Sequence, residues 1–248
     1  MTLQALIFDL DGTLADTEEA HRRAFNASFR DFGYDWSWDR ALYKSLLGVA
    51  GGRARIRHYL SQDRPDMIGK PGLDDHIIEI HKCKTRLYGE SLAGGGVALR
   101  PGVERLMGEA RSSGLRLALA TTTTRSNVGA LLSGTAVAPD WFEVMGTGEW
   151  VENLKPAPDI YFRVLEELGL KAGDCLAFED SENGLKAALG AGLDVIVTPV
   201  SYTEDGDFSG ARCVLSDLGE PDRPFTVLAG DALGRTRVDG GFLRALGG

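Results

Sequence analysis

Three cysteines in 248 residues, Cys83, Cys175 and Cys213, are too scattered for a disulfide framework or a zinc site, and their number is odd. They suit reduced thiols, and a cytoplasmic protein is expected. Long apolar runs are missing as well: none approaches the roughly 18 residues that a membrane span requires. The first apolar stretch begins within a few residues of Met1, which leaves no room for a signal peptide. Positive charge is in short supply, with 27 Lys and Arg against 36 Asp and Glu and a net charge of −9. General binding to nucleic acid or to an anionic membrane is therefore not expected, and an anionic substrate would need a local basic cluster or a metal. There is no internal repeat and no low-complexity tract beyond Gly-rich spots. What is there, 43% hydrophobic and 25% charged residues, is the balance of a globular protein of one large or two unequal domains.

The most informative stretch is Leu6-Ile7-Phe8-Asp9-Leu10-Asp11-Gly12-Thr13-Leu14. Its apolar start reads as a buried parallel strand over residues 3–8. The run stops at two acids one residue apart, and Gly12 then permits a sharp turn. Helical patterns follow at 17–32, with Asp16 or Thr17 as N-cap, and at 39–47, 53–61 and 74–92. No strand pattern occurs between 16 and 93, so this is a helical insertion, and Ala93-Gly94-Gly95-Gly96 reads as a flexible return. Strands and helices then alternate. Strands are expected at 115–120, 142–145 and 175–178, then at 194–198 and 213–215 as the last ones; helices fall at 101–113, 126–133, 157–168 and 182–190. That alternation predicts an α/β fold, a doubly wound parallel sheet with right-handed crossovers. The Gly-rich tail beyond about 223 has no clear pattern.

In such sheets, ligands bind outside the carboxyl ends of the strands. The first strand ends at Asp9 and Asp11, and the second in Thr121-Thr122-Thr123-Thr124, whose hydroxyls and N–H groups suit either a phosphate or a helix cap. Lys155 precedes Pro156-Ala157-Pro158, which would hold it in place, although taken alone it reads as a solvated surface charge. Glu179-Asp180 end another strand and either bind Mg²⁺ or cap the next helix. Jointly these groups assemble the parts that phosphoryl transfer needs: a nucleophile, charge neutralisation and positioning.

Asp9-Leu10-Asp11-Gly12-Thr13, Thr121, Lys155-Pro156 and Glu179-Asp180 resemble, in order and spacing, the four motifs of the haloacid dehalogenase superfamily. The resemblance covers residues 3 to about 215. It implies a Rossmann-like core over 1–15 and 94–248 and a helical cap domain over 16–93. It further implies that Asp9 is the nucleophile and forms an aspartyl-phosphate, with Asp11 as acid and then base. Mg²⁺ would be held by Asp9, the Asp11 carbonyl and Asp180, with Glu179 nearby. Lys155, Thr121 and backbone N–H groups, those of Leu10 and Thr122 among them, would hold the phosphoryl. The acid at Asp11 argues against C–Cl cleavage, and the absence of lysine over 49–58 against phosphonate cleavage.

The insertion carries an unusual basic set: Lys44, Arg53, Arg55, Arg57, Lys82, Lys84 and Arg86. These either pair with acids at helical spacing or bind a second phosphate. Gly51-Gly52-Arg53 offers a tight loop for a phosphate, and Lys84 and Tyr88 share one helix face. Glu18 and His21 could meet sugar hydroxyls, and Arg125 stands after the second strand as a further substrate contact. The pattern is similar to the CbbY-type branch of the superfamily. That likeness implies hydrolysis of xylulose-1,5-bisphosphate, a Rubisco inhibitor formed beside the Calvin cycle, by a monomer. β-Phosphoglucomutase is the alternative, set back by Thr123-Thr124-Arg125 where the mutase has Ser-Lys-Asn. A non-catalytic metabolite-binding protein would not need acids at every motif position.

Overall fold

A computed structural model describes residues 3–93 and 97–246; the Gly94–Gly96 part of the expected flexible return lies outside them. The strands are β1 (Ala5–Phe8), β2 (Arg116–Ala120), β3 (Val144–Gly146), β4 (Cys175–Glu179), β5 (Asp194–Val197), β6 (Cys213–Leu215) and β7 (Val227–Gly230). The helices are α1 (Glu18–Asp31), α2 (Arg40–Leu46), α3 (Gly52–Asp63), α4 (Leu73–Ala93), α5 (Val103–Ser112), α6 (Arg125–Ser133), α7 (Asp159–Leu168), α8 (Glu182–Gly190) and α9 (Gly240–Leu246). The chain divides into two compact units, Met1–Asp16 with Val97–Gly248, and Thr17–Gly96.

The larger unit holds one seven-stranded sheet in the order β3-β2-β1-β4-β5-β6-β7. Each neighbouring pair from β3 to β6 is parallel. Ala5, Leu6, Ile7 and Phe8 of β1 are fully buried, which is why that stretch is apolar without alternation. On one face, Ile7, Ala118, Ala177 and Val195 pack with Val164 and Leu185 from α7 and α8. From β1 the chain runs outward through β2 and β3, then returns to place β4 on the other side. The switch point is therefore the crevice at the carboxyl ends of β1 and β4.

The expectation that β6 is the last strand needs correction: β7 pairs antiparallel with β6, and α9 follows. Every residue of β7 is exposed, and its Val-Leu-Ala-Gly stretch is only four residues long and lies in a Gly-rich tail, so it does not stand out as a strand. Helix α7 also starts later than expected, at Asp159, because Pro158 occupies the N-cap position.

The smaller unit is all helix among its described residues. Its core is aromatic: Phe25, Phe29, Trp38 and Tyr43 are buried, and Phe25 and Trp38 approach at 4.7 Å. Asn26 ties the α1–α2 connection into that core. Its side-chain amide donates to the Trp38 carbonyl and accepts from the Trp38 N–H, both at 2.8 Å. A buried amide with both ends satisfied fixes one packing arrangement.

Candidate active site

The site follows from strand register. Phe8 is paired with Phe178, their rings stack at 4.5 Å, and the Asp9 N–H donates to the Phe178 carbonyl at 3.0 Å. β1 and β4 thus end level, and Asp9 emerges beside Glu179 and Asp180. Lys155 reaches the same point from the loop before α7. Its Nζ donates to Asp9 Oδ1 at 2.7 Å and to Glu179 Oε1 at 2.6 Å. All four side chains are buried, none more than 7% exposed.

Among the described residues, Asp9, Glu179 and Asp180 each offer an oxygen within 4.8 Å of the others. One ammonium therefore serves two of three clustered carboxylates in a desolvated pocket. Burial pulls the Lys155 ammonium down, but Asp9 and Glu179 outweigh it and hold the group above the ordinary lysine range. The Asp9 carboxyl is pushed up to about 7, first by burial and then by Glu179 and Asp11, against the pull of Lys155. The site is short of positive charge. Glu179 Oε2 is buried with no hydrogen-bond partner, and the donors are all oxygen, so these residues fit a hard divalent cation.

Gly12 makes room for that cluster. Its φ is +88°, and a Cβ there would overlap the Asp180 carboxylate, so both conformation and space require glycine. The turn is closed by Gly12 N–H to the Ala15 carbonyl at 2.8 Å and Leu14 N–H to the Leu10 carbonyl at 2.9 Å. Asp11 sits half-buried within it.

The structure shows which residues cap the two helices. Helix α8 is capped by Ser181, whose Oγ accepts from the Gly184 N–H at 3.2 Å, so Glu179 and Asp180 are not its cap. Helix α6 is capped by Thr124. Thr121 is buried at the end of β2, next to β1, and its Oγ1 accepts from the Thr123 N–H at 3.2 Å. Thr122 is half-buried; Arg125 is exposed on the first turn of α6, its N–H bound to Glu149. Tyr161 is a member of the cluster that the sequence does not announce. Its hydroxyl donates to Glu179 Oε1 at 2.5 Å and its ring lies 5.1 Å from Lys155 Nζ. On α7 it falls on the apolar stripe with Ile160, Val164 and Leu168, and reads as core.

The basic set of the smaller unit separates by environment. Lys82 pairs with Glu79, Arg86 with Glu90 and Arg57 with Asp74, all on the surface. Lys84 is 4% exposed and lies 2.6 Å from His21 Nδ1, between the rings of Phe25 and Tyr88. The His21 ring stacks on Tyr88 at 3.9 Å. Gly52 opens α3 against His81, whose ring a Cβ would meet. Burial lowers the His81 pKa to about 4, with Lys84, Arg53, His21 and Arg55 pushing the same way. Glu18 accepts from the Tyr43 hydroxyl at 2.8 Å, and Arg55 donates to Tyr43 and to the carbonyls of Leu46 and Val49. Arg55 is thus built into the loop that ends at Gly51. Arg53 is exposed and Lys44 half-buried. No helix of the described residues is long and apolar enough to cross a membrane.

Residues 6–198 match the family of haloacid dehalogenase-like hydrolases. Protein CbbY of Cupriavidus necator is 50% identical over 225 residues, covering 90% of this chain and 88% of that protein. The phosphorylated carbohydrates phosphatase of Thermotoga maritima is 31% identical over 82% of this chain and 88% of its own length. Among solved structures, CbbY from Rhodobacter sphaeroides, seen with phosphate and, as a mutant, with xylulose-(1,5)bisphosphate, superposes with a TM-score of 0.81. It is 44% identical and covers 87% of this chain and 95% of its own. With a buried carboxylate–lysine cluster at the switch point of a parallel sheet, this chain belongs to the haloacid dehalogenase-like hydrolases and is a phosphatase.

Proposed function

We propose that the enzyme is a Mg²⁺-dependent sugar-bisphosphate phosphatase, that xylulose-1,5-bisphosphate is its substrate, and that it works as a cytoplasmic monomer. The observation that carries the reading is Lys155 Nζ held at 2.7 Å and 2.6 Å between Asp9 and Glu179, with Asp180 alongside. An anchored ammonium leaves one carboxylate oriented and desolvated, as a nucleophile for phosphorus must be. Asp9 attacks the phosphoryl group, the P–O bond to the sugar breaks, and Asp11 passes a proton to the departing oxygen. Water then attacks the phosphorus and gives up a proton to Asp11, the bond to Asp9 breaks, and phosphate leaves with the Asp9 carboxylate restored. Asp9, Asp180 and the Asp11 carbonyl would hold the cation with Glu179 adjacent. When bound, it supplies neutralisation of the phosphoryl charge. Thr121, Lys155 and the N–H groups of Leu10 and Thr122 hold the phosphoryl oxygens.

Substrate choice belongs, in this reading, to the inserted unit over residues 16–93, acting as a cap. Lys84, Arg53, Lys44 and the Gly51-Gly52 loop bind the phosphate that is not transferred, and Glu18 and His21 the sugar hydroxyls. Arg125 contributes from the core. What supports this is the contrast within α4, where Lys82 is paired at the surface while Lys84 is buried beside His21. The relative solved with xylulose-(1,5)bisphosphate supports the choice of substrate.

Phosphate release should be compared for xylulose-1,5-bisphosphate and the two xylulose monophosphates. The bisphosphate should be preferred in kcat/KM by at least about tenfold, the worth of one charge-assisted hydrogen bond. Lys84→Met should remove that preference chiefly through KM. Equal use of mono- and bisphosphates by the wild type would remove the second-phosphate assignment.

A further inference from the structure

Four residues after the return from the insertion stands an arginine, Arg100, with an unusual set of partners. Leu99 forms an antiparallel bridge with Ala15, and the Arg100 N–H donates to the Leu14 carbonyl at 2.8 Å. The side chain then crosses the carboxyl end of the sheet. Nη1 donates to the carbonyls of Gly12 and Thr198, both at 2.5 Å, and to Thr198 Oγ1 at 3.0 Å. Nη2 donates to the carbonyls of Pro199 at 3.1 Å and Ser216 at 2.8 Å. Every acceptor of the fork is a neutral oxygen, although Asp180, Asp16 and Asp217 lie near enough to act on its charge.

A surface cation needs no such arrangement. Three segments converge on one planar group: the turn after β1, the end of β5 and the end of β6. A guanidinium can serve them because its donors are fixed in a fork and spread over two terminal nitrogens, whereas a lysine ammonium donates from one. Gly12 is the partner that matters chemically. One side of this residue lies against the Asp180 carboxylate, where no Cβ fits, and its carbonyl is drawn to Arg100. Gly12, the residue that follows Asp11, is thereby held from both sides. We propose that Arg100 is a positioning residue for the proton transfer: it clamps the Asp11–Gly12 turn to the ends of β5 and β6 and so fixes where the Asp11 carboxyl stands.

This rests on the reading of Asp11 as general acid, and the test separates the two. An acid matters for an alkyl leaving group and hardly at all for p-nitrophenolate, which departs unaided. Arg100→Lys, which keeps the charge and the aliphatic stem, should lower kcat on a sugar phosphate by about 10²-fold. On p-nitrophenyl phosphate it should change the burst rate of p-nitrophenolate release, which precedes the step that needs Asp11 as base, by less than about threefold. Methylguanidinium added to Arg100→Ala should restore part of the sugar-phosphate rate only. Should these variants fail to fold by circular dichroism, Thr198→Val removes one acceptor alone, and a smaller loss with the same selectivity is expected. Equal losses on both esters, or none on either, would overturn the proposal. If Asp11→Asn slows sugar-phosphate cleavage and the p-nitrophenolate burst equally, the acid assignment is what fails, and Arg100 loses its role with it.

Discussion

Asp9→Asn should abolish turnover while leaving the protein folded. The amide has the shape of the carboxylate and still offers Oδ1 to Lys155, but it is no nucleophile for phosphorus. The expected loss is about 10⁴-fold or more in kcat, on every phosphate ester tried. Stability should move the other way in metal-free protein. The Asp9 carboxyl is pushed up from 3.8 to about 7, first by burial, so the folded state binds its proton more tightly than the unfolded chain does. By linkage the wild type in chelator should lose stability as pH rises from about 4 through about 7. The Asn variant lacks that group and should show a flatter profile over the same window. Thermal unfolding at a series of pH values checks this, and residual turnover above a thousandth of wild type would mean that another residue attacks phosphorus.

Lys155→Met should damage both chemistry and fold. In the native site a single ammonium satisfies Asp9 Oδ1 and Glu179 Oε1, with Tyr161 donating to the same Glu179 oxygen. Methionine fills the space and leaves two buried carboxylates facing each other. Removing one partner from a buried pair costs roughly 3–5 kcal/mol, so a clear drop in melting temperature is expected. The rate should fall by about 10²–10³-fold, the usual cost of deleting a preorganised charge at the developing oxyanion. Added divalent cation should recover part of the stability but not the rate, because it does not replace the ammonium at Asp9 Oδ1. A variant with normal kcat would place the lysine outside the chemistry and leave it as a structural counter-ion.

The strands that carry the chemistry were legible because burial on both faces makes them uninterrupted apolar runs, and the acids that end them stand out. Asp9, Glu179 and Asp180 could be read that way one strand at a time. Lys155 could not: next to two prolines a lysine is as plausible on the surface, and only the company of the other strand ends gives it weight. Tyr161 escaped because its position on α7 matches the apolar stripe, and one hydroxyl at 2.5 Å from Glu179 leaves no trace in a periodicity. Arg100 escaped for a related reason. Its partners are backbone carbonyls far apart in sequence, and a carbonyl has no residue type. Strand β7 was hidden because its apolar stretch is only four residues long and lies in a Gly-rich tail. In the inserted unit, spacing alone could not tell Lys82 from Lys84, two residues apart on α4; only the fold turns one to a surface glutamate and the other to His21.

The central claim is that phosphorus passes through the Asp9 carboxylate. The direct measurement is to mix the enzyme with bisphosphate radiolabelled in the transferred group, quench in acid within one turnover, and map the labelled peptide. The account predicts label on the peptide carrying Asp9, released by hydroxylamine as an acyl phosphate must be and absent from Asp9→Asn. Label on a serine or histidine peptide, or phosphate release at full rate with no labelled protein at any quench time, would contradict it.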